Sequence, residues 1–187
     1  MSGRTFLTDH FLIAMPALND PNFSRTVTYI CEHNDEGAMG IVINRPLELH
    51  LDEVLRHMDI ELDDTSAGHI RIVLGGPVQQ DRGFVVHLND PRWESTHAIN
   101  DEVGVTTSRD ILAAIARGEG PGQSLIALGY AGWGGGQLEQ ELADNAWLST
   151  PADRQILFNL PFAERWDAAA HLVGVDLLNL SNEVGHA

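Results

Sequence analysis

Apolar residues recur along this chain in two rhythms. At 26–32 (TVTYICE) and 39–44 (MGIVIN), β-branched and aromatic residues crowd into short runs, and the segment between them carries Asn34, Asp35 and Gly37. That is the turn chemistry of a β-hairpin. Further runs at 70–74, 83–88 and 125–130 are short enough to be strands and are bounded by glycine, proline or charge. Elsewhere the spacing is helical. Thr107 and Asp110 have capping-box spacing ahead of an Ile111, Leu112, Ile115 stripe, with Gly118 where a helix would stop. Thr150, Pro151 and Asp153 repeat a helix-start signal with proline at the first helical position. Phe162, Trp166, Ala169, Ala170 and Val173 predict a helix over 162–173 ending at Gly174, and a shorter one is expected over 51–58. Strands and helices do not alternate strictly, so the pattern predicts an α+β fold and not a doubly wound parallel sheet.

At 187 residues and 43% hydrophobic content, the chain can bury one substantial core. No linker or composition shift divides it, so a single domain over 1–187 is expected. The early run 11–15 lacks the basic start and length of a secretory signal. No segment approaches the roughly 20 apolar residues of a membrane span. With a single cysteine, Cys31, these features predict a cytoplasmic protein without a disulfide framework.

Charge narrows the partner classes. Eleven cationic residues, all arginine, stand against 27 acidic ones for a net charge of −16. The arginines are scattered without a basic run, which opposes direct nucleic-acid binding. Another protein is the expected partner, with a small-molecule ligand as the alternative.

Chemistry-bearing patterns are few. The segment 129–145 (GYAGWGGGQLEQELADN) runs from an apolar strand through glycines into an acidic amphipathic helix. Gly132, Trp133, Gly134, Gly136 and Gln137 form a candidate ligand turn, since N–H groups at a helix start bind anions. Gln137 stands where a dinucleotide motif needs its third glycine, and no P-loop lysine follows, so a purely structural turn competes with this reading. Glu139 and Glu141, two apart on that helix, are expected to be solvated. Strand alternation would set Cys31 beside His33, a candidate reactive thiol against the alternative of a small buried hydrophobe. The nine histidines include no HxH, HxxxH or HExxH spacing, so no metal is expected; no cofactor motif or catalytic constellation appears either. Arginines at element ends remain. If Arg45, Arg82 and Arg109 converge, they form an anion pocket; otherwise they lock loops to the scaffold.

Five blocks carry a resemblance across nearly the whole chain: FLIAMPALNDPNFSRTVTYICEHNDEGAMGIVINRP, GGPVQQDRGFVVH, TTSRDILAAIARGEGP, ALGYAGWGGGQLEQELADNAWL and ILFNLPFAERWDAA. In this order they resemble the AlgH/YqgE family of bacterial proteins. That resemblance implies a compact α+β domain whose mixed sheet curls toward a pseudo-barrel flanked by helices. It also implies a transcriptional-regulatory role without an established biochemical activity, and it carries no catalytic residues.

Overall fold

The computed structural model describes residues 6–174. In chain order the elements are β1 (His10–Ala14), β2 (Val27–Asn34), β3 (Gly37–Val42), β4 (Pro46–His50), α1 (Leu51–His57), β5 (Arg71–Leu74), β6 (Val78–Leu88), β7 (Thr96–Ala98), β8 (Val103–Thr106), α2 (Arg109–Ala116), β9 (Ser124–Gly134), α3 (Gln137–Ala143), β10 (Trp147–Pro151) and α4 (Arg165–Leu172). The fold is α+β, with a curled, largely antiparallel sheet forming a half-barrel.

The hairpin forms as the pattern predicts. β2 and β3 pair antiparallel down to Asn34 opposite Gly37, and the Asn34 side chain accepts the Glu36 N–H at 2.8 Å to close the turn. From there the sheet order is β10-β1-β2-β3-β9-β6-β8-β7, with β4 on β5 and β5 parallel to β9. β9 is the organising strand. It pairs with β6 along its first half and with β3 from Ala131 to Gly134, so the glycine segment 132–134 is strand rather than open turn.

Three apolar clusters fill the fold. The first lies between the sheet and α4 and contains Phe11, Tyr29, Ile41, Val86 and Trp166. The second lies beneath α1 and α2, where Leu51, Leu55, Ile111 and Ile115 meet Ile72 and Ile126. The third gathers Leu12, Ile30, Trp133, Leu138 and Trp147.

Several expectations need correction. Pro151 is the last residue of β10, paired with His10, so it does not open a helix. The turn begins later: Asp153 accepts the Ile156 N–H at 3.1 Å, and a single π-helical turn runs over Gln155–Asn159. The N-cap of α2 is one residue later than its capping-box spacing suggests, Ser108 and not Thr107. The helix expected over 162–173 divides into a 3₁₀ turn, Phe162–Glu164, and α4. Glu139 and Glu141 are not free in solvent. His33 Nε2 meets Glu139 at 3.0 Å, and Glu141 Oε1 accepts both indole N–H groups, from Trp133 at 3.1 Å and Trp147 at 2.9 Å. Two buried indoles thereby obtain the partner that burial demands of them.

Candidate functional site

A cleft of about 500 Å³ opens between α1, α2 and the strands β4, β5, β6, β8 and β9. Its size falls in the range of small-molecule sites. Each wall comes from an element that also faces the second apolar cluster. Ile72, Val85, Ile126 and Leu128 form the sheet floor, Leu112 projects from α2, and Val54 and Met58 close the side of α1. Polar groups gather at the rim: His57, Asp81, Arg82, Thr107, Ser108 and Arg109.

Local irregularities place the rim residues. Between Val78, opposite Tyr130, and Gly83, opposite Leu128, β6 spends four residues where β9 spends one, Gly129. The surplus chain bulges from the ladder, with Gln79 at φ 47°, and turns Asp81 and Arg82 outward. Arg82 lies over the Phe84 ring at 5.4 Å. Arg109 comes from the first turn of α2 and donates Nη2–H to the Met58 carbonyl at 2.5 Å, joining α2 to the end of α1.

Beside it, Ser108 is fully occupied. Its hydroxyl donates to Asp110 at 2.5 Å and accepts the Ser95 N–H at 3.1 Å. Burial pushes the Asp110 carboxyl up, but the Ser108 hydroxyl and the N–H groups of Glu94, Ile111 and Asp110 outweigh it and hold the group below the ordinary carboxylate range. This carboxylate already takes the donors at the start of α2, so the cations at the rim are the arginines.

Thr106 lines the cleft from below and connects it to a buried histidine. His87 is fully buried, with Nδ1 2.7 Å from the Leu88 carbonyl and Nε2 2.7 Å from the Thr106 hydroxyl. Nδ1 must carry the proton it donates to the carbonyl, which leaves Nε2 to accept from Thr106. Burial pushes the His87 pKa below its ordinary 6.5, against the smaller raising effects of the Leu88 carbonyl and Asp90. Below pH 6.5 the unfolded chain therefore takes up its proton before the native state does, so stability falls as pH falls toward the lower native pKa. Urea midpoints of the wild type are expected to drop between pH 7.5 and pH 5, and His87→Gln should make that dependence shallower. An equally steep dependence in the variant would remove His87 as the source.

The other sequence candidates lie elsewhere. Arg45 donates to the carbonyls of Asn22 at 2.7 Å and Ser24 at 3.1 Å, which ties down the loop before β2, and burial pushes its pKa down. In the glycine segment, Gly37 faces Gly134 across the ladder. A Cβ on Gly37 would come within 2.2 Å of the Trp133 carbonyl oxygen, so the close approach of backbones needs glycine there. The Gly134 N–H is taken by the Gln137 side chain at 3.0 Å, and Trp133 is buried. Gly132, Gly134, Gly136 and Gln137 are exposed on this face, away from the cleft.

Cys31 is buried in the first cluster beside Tyr29, and burial, then the Glu32 charge, push its thiol far up. A bulge between Ile30 and Glu32 breaks the two-residue alternation. His33 instead accepts the Leu7 N–H on Nδ1 at 2.9 Å and turns Nε2 to Glu139 on α3. Both ring nitrogens are thus engaged away from the thiol. Among the described residues no group of three or more His, Cys, Asp or Glu is placed to hold a metal ion, and no helix is long and apolar enough to cross a membrane.

The AlgH-like family profile matches residues 11–178. The chain belongs to the AlgH-like family. A UPF0301 protein of Nitrosococcus oceani is 59% identical over 187 residues, covering 100% of both chains. One from Thioalkalivibrio sulfidiphilus is 60% identical over the same length, again 100% of both. The solution structure of the AlgH protein from Pseudomonas aeruginosa superposes with a TM-score of 0.81 at 55% identity, over 97% of this chain and 96% of that one. A Corynebacterium diphtheriae protein shares the fold at 18% identity, with a TM-score of 0.72 over 91% and 89% of the two chains. In this AlgH-like chain, Arg82 comes from the GGPVQQDRGFVVH block and Arg109 from TTSRDILAAIARGEGP, so the cleft is assembled where two of the family-like blocks meet.

His57 and Asp81 complete the rim. Asp81 stands beside Arg82 in the polar turn ahead of a buried strand, a position that fits loop locking as well as binding, and nothing local to His57 marks it as a binding residue.

Proposed function

We propose that this protein works in the cytoplasm as a regulatory binding protein whose α1–α2 cleft takes a ligand with an apolar body and an anionic end. One observation carries the reading: Arg82 and Arg109, far apart in sequence, share the rim of an aliphatic cavity. The walls reward burial of apolar surface, at roughly 25 cal/mol per Å². The guanidinium groups supply charge-assisted donors to an anion. The engaged Ser108 hydroxyl leaves the cleft without an activated nucleophile, which supports binding over turnover. The net charge of −16 supports a partner other than nucleic acid.

Dodecanoate is a suitable first probe. It is expected to raise the melting temperature saturably, whereas dodecanol at equal concentration should do so far less. Arg82→Ala and Arg109→Ala should each weaken dodecanoate by roughly 1 kcal/mol, about fivefold, a modest figure because both side chains are exposed. Arg45→Ala should leave the affinity unchanged, since Arg45 lies off the cleft. Affinity retained in the Arg82→Ala, Arg109→Ala double variant would overturn the assignment.

A further inference from the structure

The curled sheet leaves an edge open at β7. This end strand pairs with β8 alone among the described residues. The Thr107 N–H donates to the Ser95 carbonyl at 3.1 Å and the Ile99 N–H to the Val103 carbonyl at 2.9 Å, so residues 95, 97 and 99 direct their backbone groups to β8. In an antiparallel ladder the intervening residues turn theirs the other way. Thr96 and Ala98 therefore point their N–H and C=O groups off the sheet, and His97 and Ala98 are exposed.

Beside this edge lies a groove of about 400 Å³, floored by Met39, Phe84 and Val105, with Ser95 and His97 on its β7 side. It occupies the opposite face of the sheet from the cleft: Phe84 and Val105 line the groove, while their strand neighbours Val85 and Thr106 line the cleft. Glu32 and Glu94 border the groove, and neither has an ion pair among the described residues. Arg82 reaches over the Phe84 ring, but no arginine belongs to the lining.

We infer that β7 receives an extended segment of a partner protein as an added strand, with its backbone on Thr96 and Ala98 and its inward side chains, apolar flanked by basic, in the groove. Main-chain bonds supply the affinity of such an addition, and alternate side chains supply its specificity. The unpaired glutamates and the net charge of −16 select a basic segment and would speed its encounter. A second copy of this chain would bring the same carboxylates against themselves. Residues 175–187 carry Asp176 and Glu183 and no arginine, so the chain's own end is no better a complement.

The test uses a fluorescein-labelled heptapeptide in which threonine alternates with arginine, leucine and arginine, titrated by anisotropy against the full chain at low salt. Saturable binding is expected, weakened about tenfold by Ala98→Pro, which removes an outward N–H and none that bonds β8. Glutamate in place of the peptide arginines should weaken it as much, as should Glu32→Gln combined with Glu94→Gln. N-methylation of the peptide separates strand pairing from plain charge attraction, because it removes amide donors without altering charge or the protein. Methylating the alternate set of amides that faces β7 should abolish binding, and methylating the other set should leave it within about twofold. Should Ala98→Pro fail to fold, the methylated peptides decide alone. Equal affinity of both methylated forms and the parent would overturn the inference, as would a titration that never saturates or an Ala98→Pro variant that binds like wild type. A concentration-dependent dimer dissociated by Ala98→Pro would overturn it too, by giving the edge to a second copy.

Discussion

Gly76→Ala is expected to lower stability by more than about 3 kcal/mol, enough to populate the unfolded chain at ordinary temperature. Gly76 follows β5 and sits at φ 157°, where its backbone crosses β9. A Cβ there would lie 2.1 Å from the Tyr130 carbonyl carbon, 2.2 Å from its oxygen and 2.5 Å from the Ala131 nitrogen. All three atoms are backbone, so no side chain can rotate away, and relief requires parting the crossover from the organising strand. The consequence reaches the site, because this crossover leads into the β6 bulge that presents Asp81 and Arg82. Ligand binding should therefore fall with stability. Gly83→Ala is the matched control: a Cβ there meets nothing within 4 Å, and its urea midpoint should stay within roughly 0.5 kcal/mol of wild type. A Gly76→Ala midpoint equal to that of the control would sink the argument.

Local periodicity made the hairpin, the buried half of β6, α2 and the neighbourhood of α4 legible, because each carries its own rhythm over five or more residues, as does the apolar run 70–74 that contains β5. It failed where pairing is decided at a distance. β7 and β8 are three and four residues long, too short to alternate visibly, and form because β6 offers β8 a ladder and β8 in turn offers one to β7. β10 looked like a helix start because Thr150 and Pro151 have that local chemistry, yet pairing with β1 overrides it. At Cys31 the period-two rule itself gave the wrong neighbour, since one bulge sends His33 to α3.

The site was legible in its cations and not in its shape. Arg82 and Arg109 stand out as polar residues at element ends, but so does Arg45, and nothing nearby in sequence says that Arg45 holds a loop instead. The cavity lining comes from α1, α2 and five strands, and no local window contains them together. Glu141 shows the same limit in reverse. Its position on an acidic helix face suggests solvent, while Trp133 and Trp147, on two different strands, converge to make it a buried-donor acceptor.

Arg165→Met is expected to lower stability by about 3 kcal/mol, although it trades a buried charge for an apolar side chain of similar volume. Arg165 is 3% exposed. Its guanidinium donates to the carbonyls of Ile43 at 2.8 Å, Leu160 at 3.0 Å and Leu157 at 3.1 Å, and lies 4.6 Å from the centre of the Phe162 ring. Burial pushes its pKa down to about 10, so the group is still charged at neutral pH. Two effects compete in the variant. Methionine removes the desolvation penalty of the cation, which favours the variant, but it leaves three carbonyl oxygens without these donors. Each unpaired buried carbonyl costs roughly 1–3 kcal/mol, and their sum exceeds the relief because the fork had met all three at once. The carbonyls belong to the residue just after β3, the π-helical turn and the approach to α4, so the loss separates the C-terminal layer from the sheet. Arg165→Lys should recover only part of the stability, since a compact ammonium lacks the planar fork. A methionine variant within about 0.5 kcal/mol of wild type in urea would mean that desolvation, and not carbonyl satisfaction, decides the balance at this position.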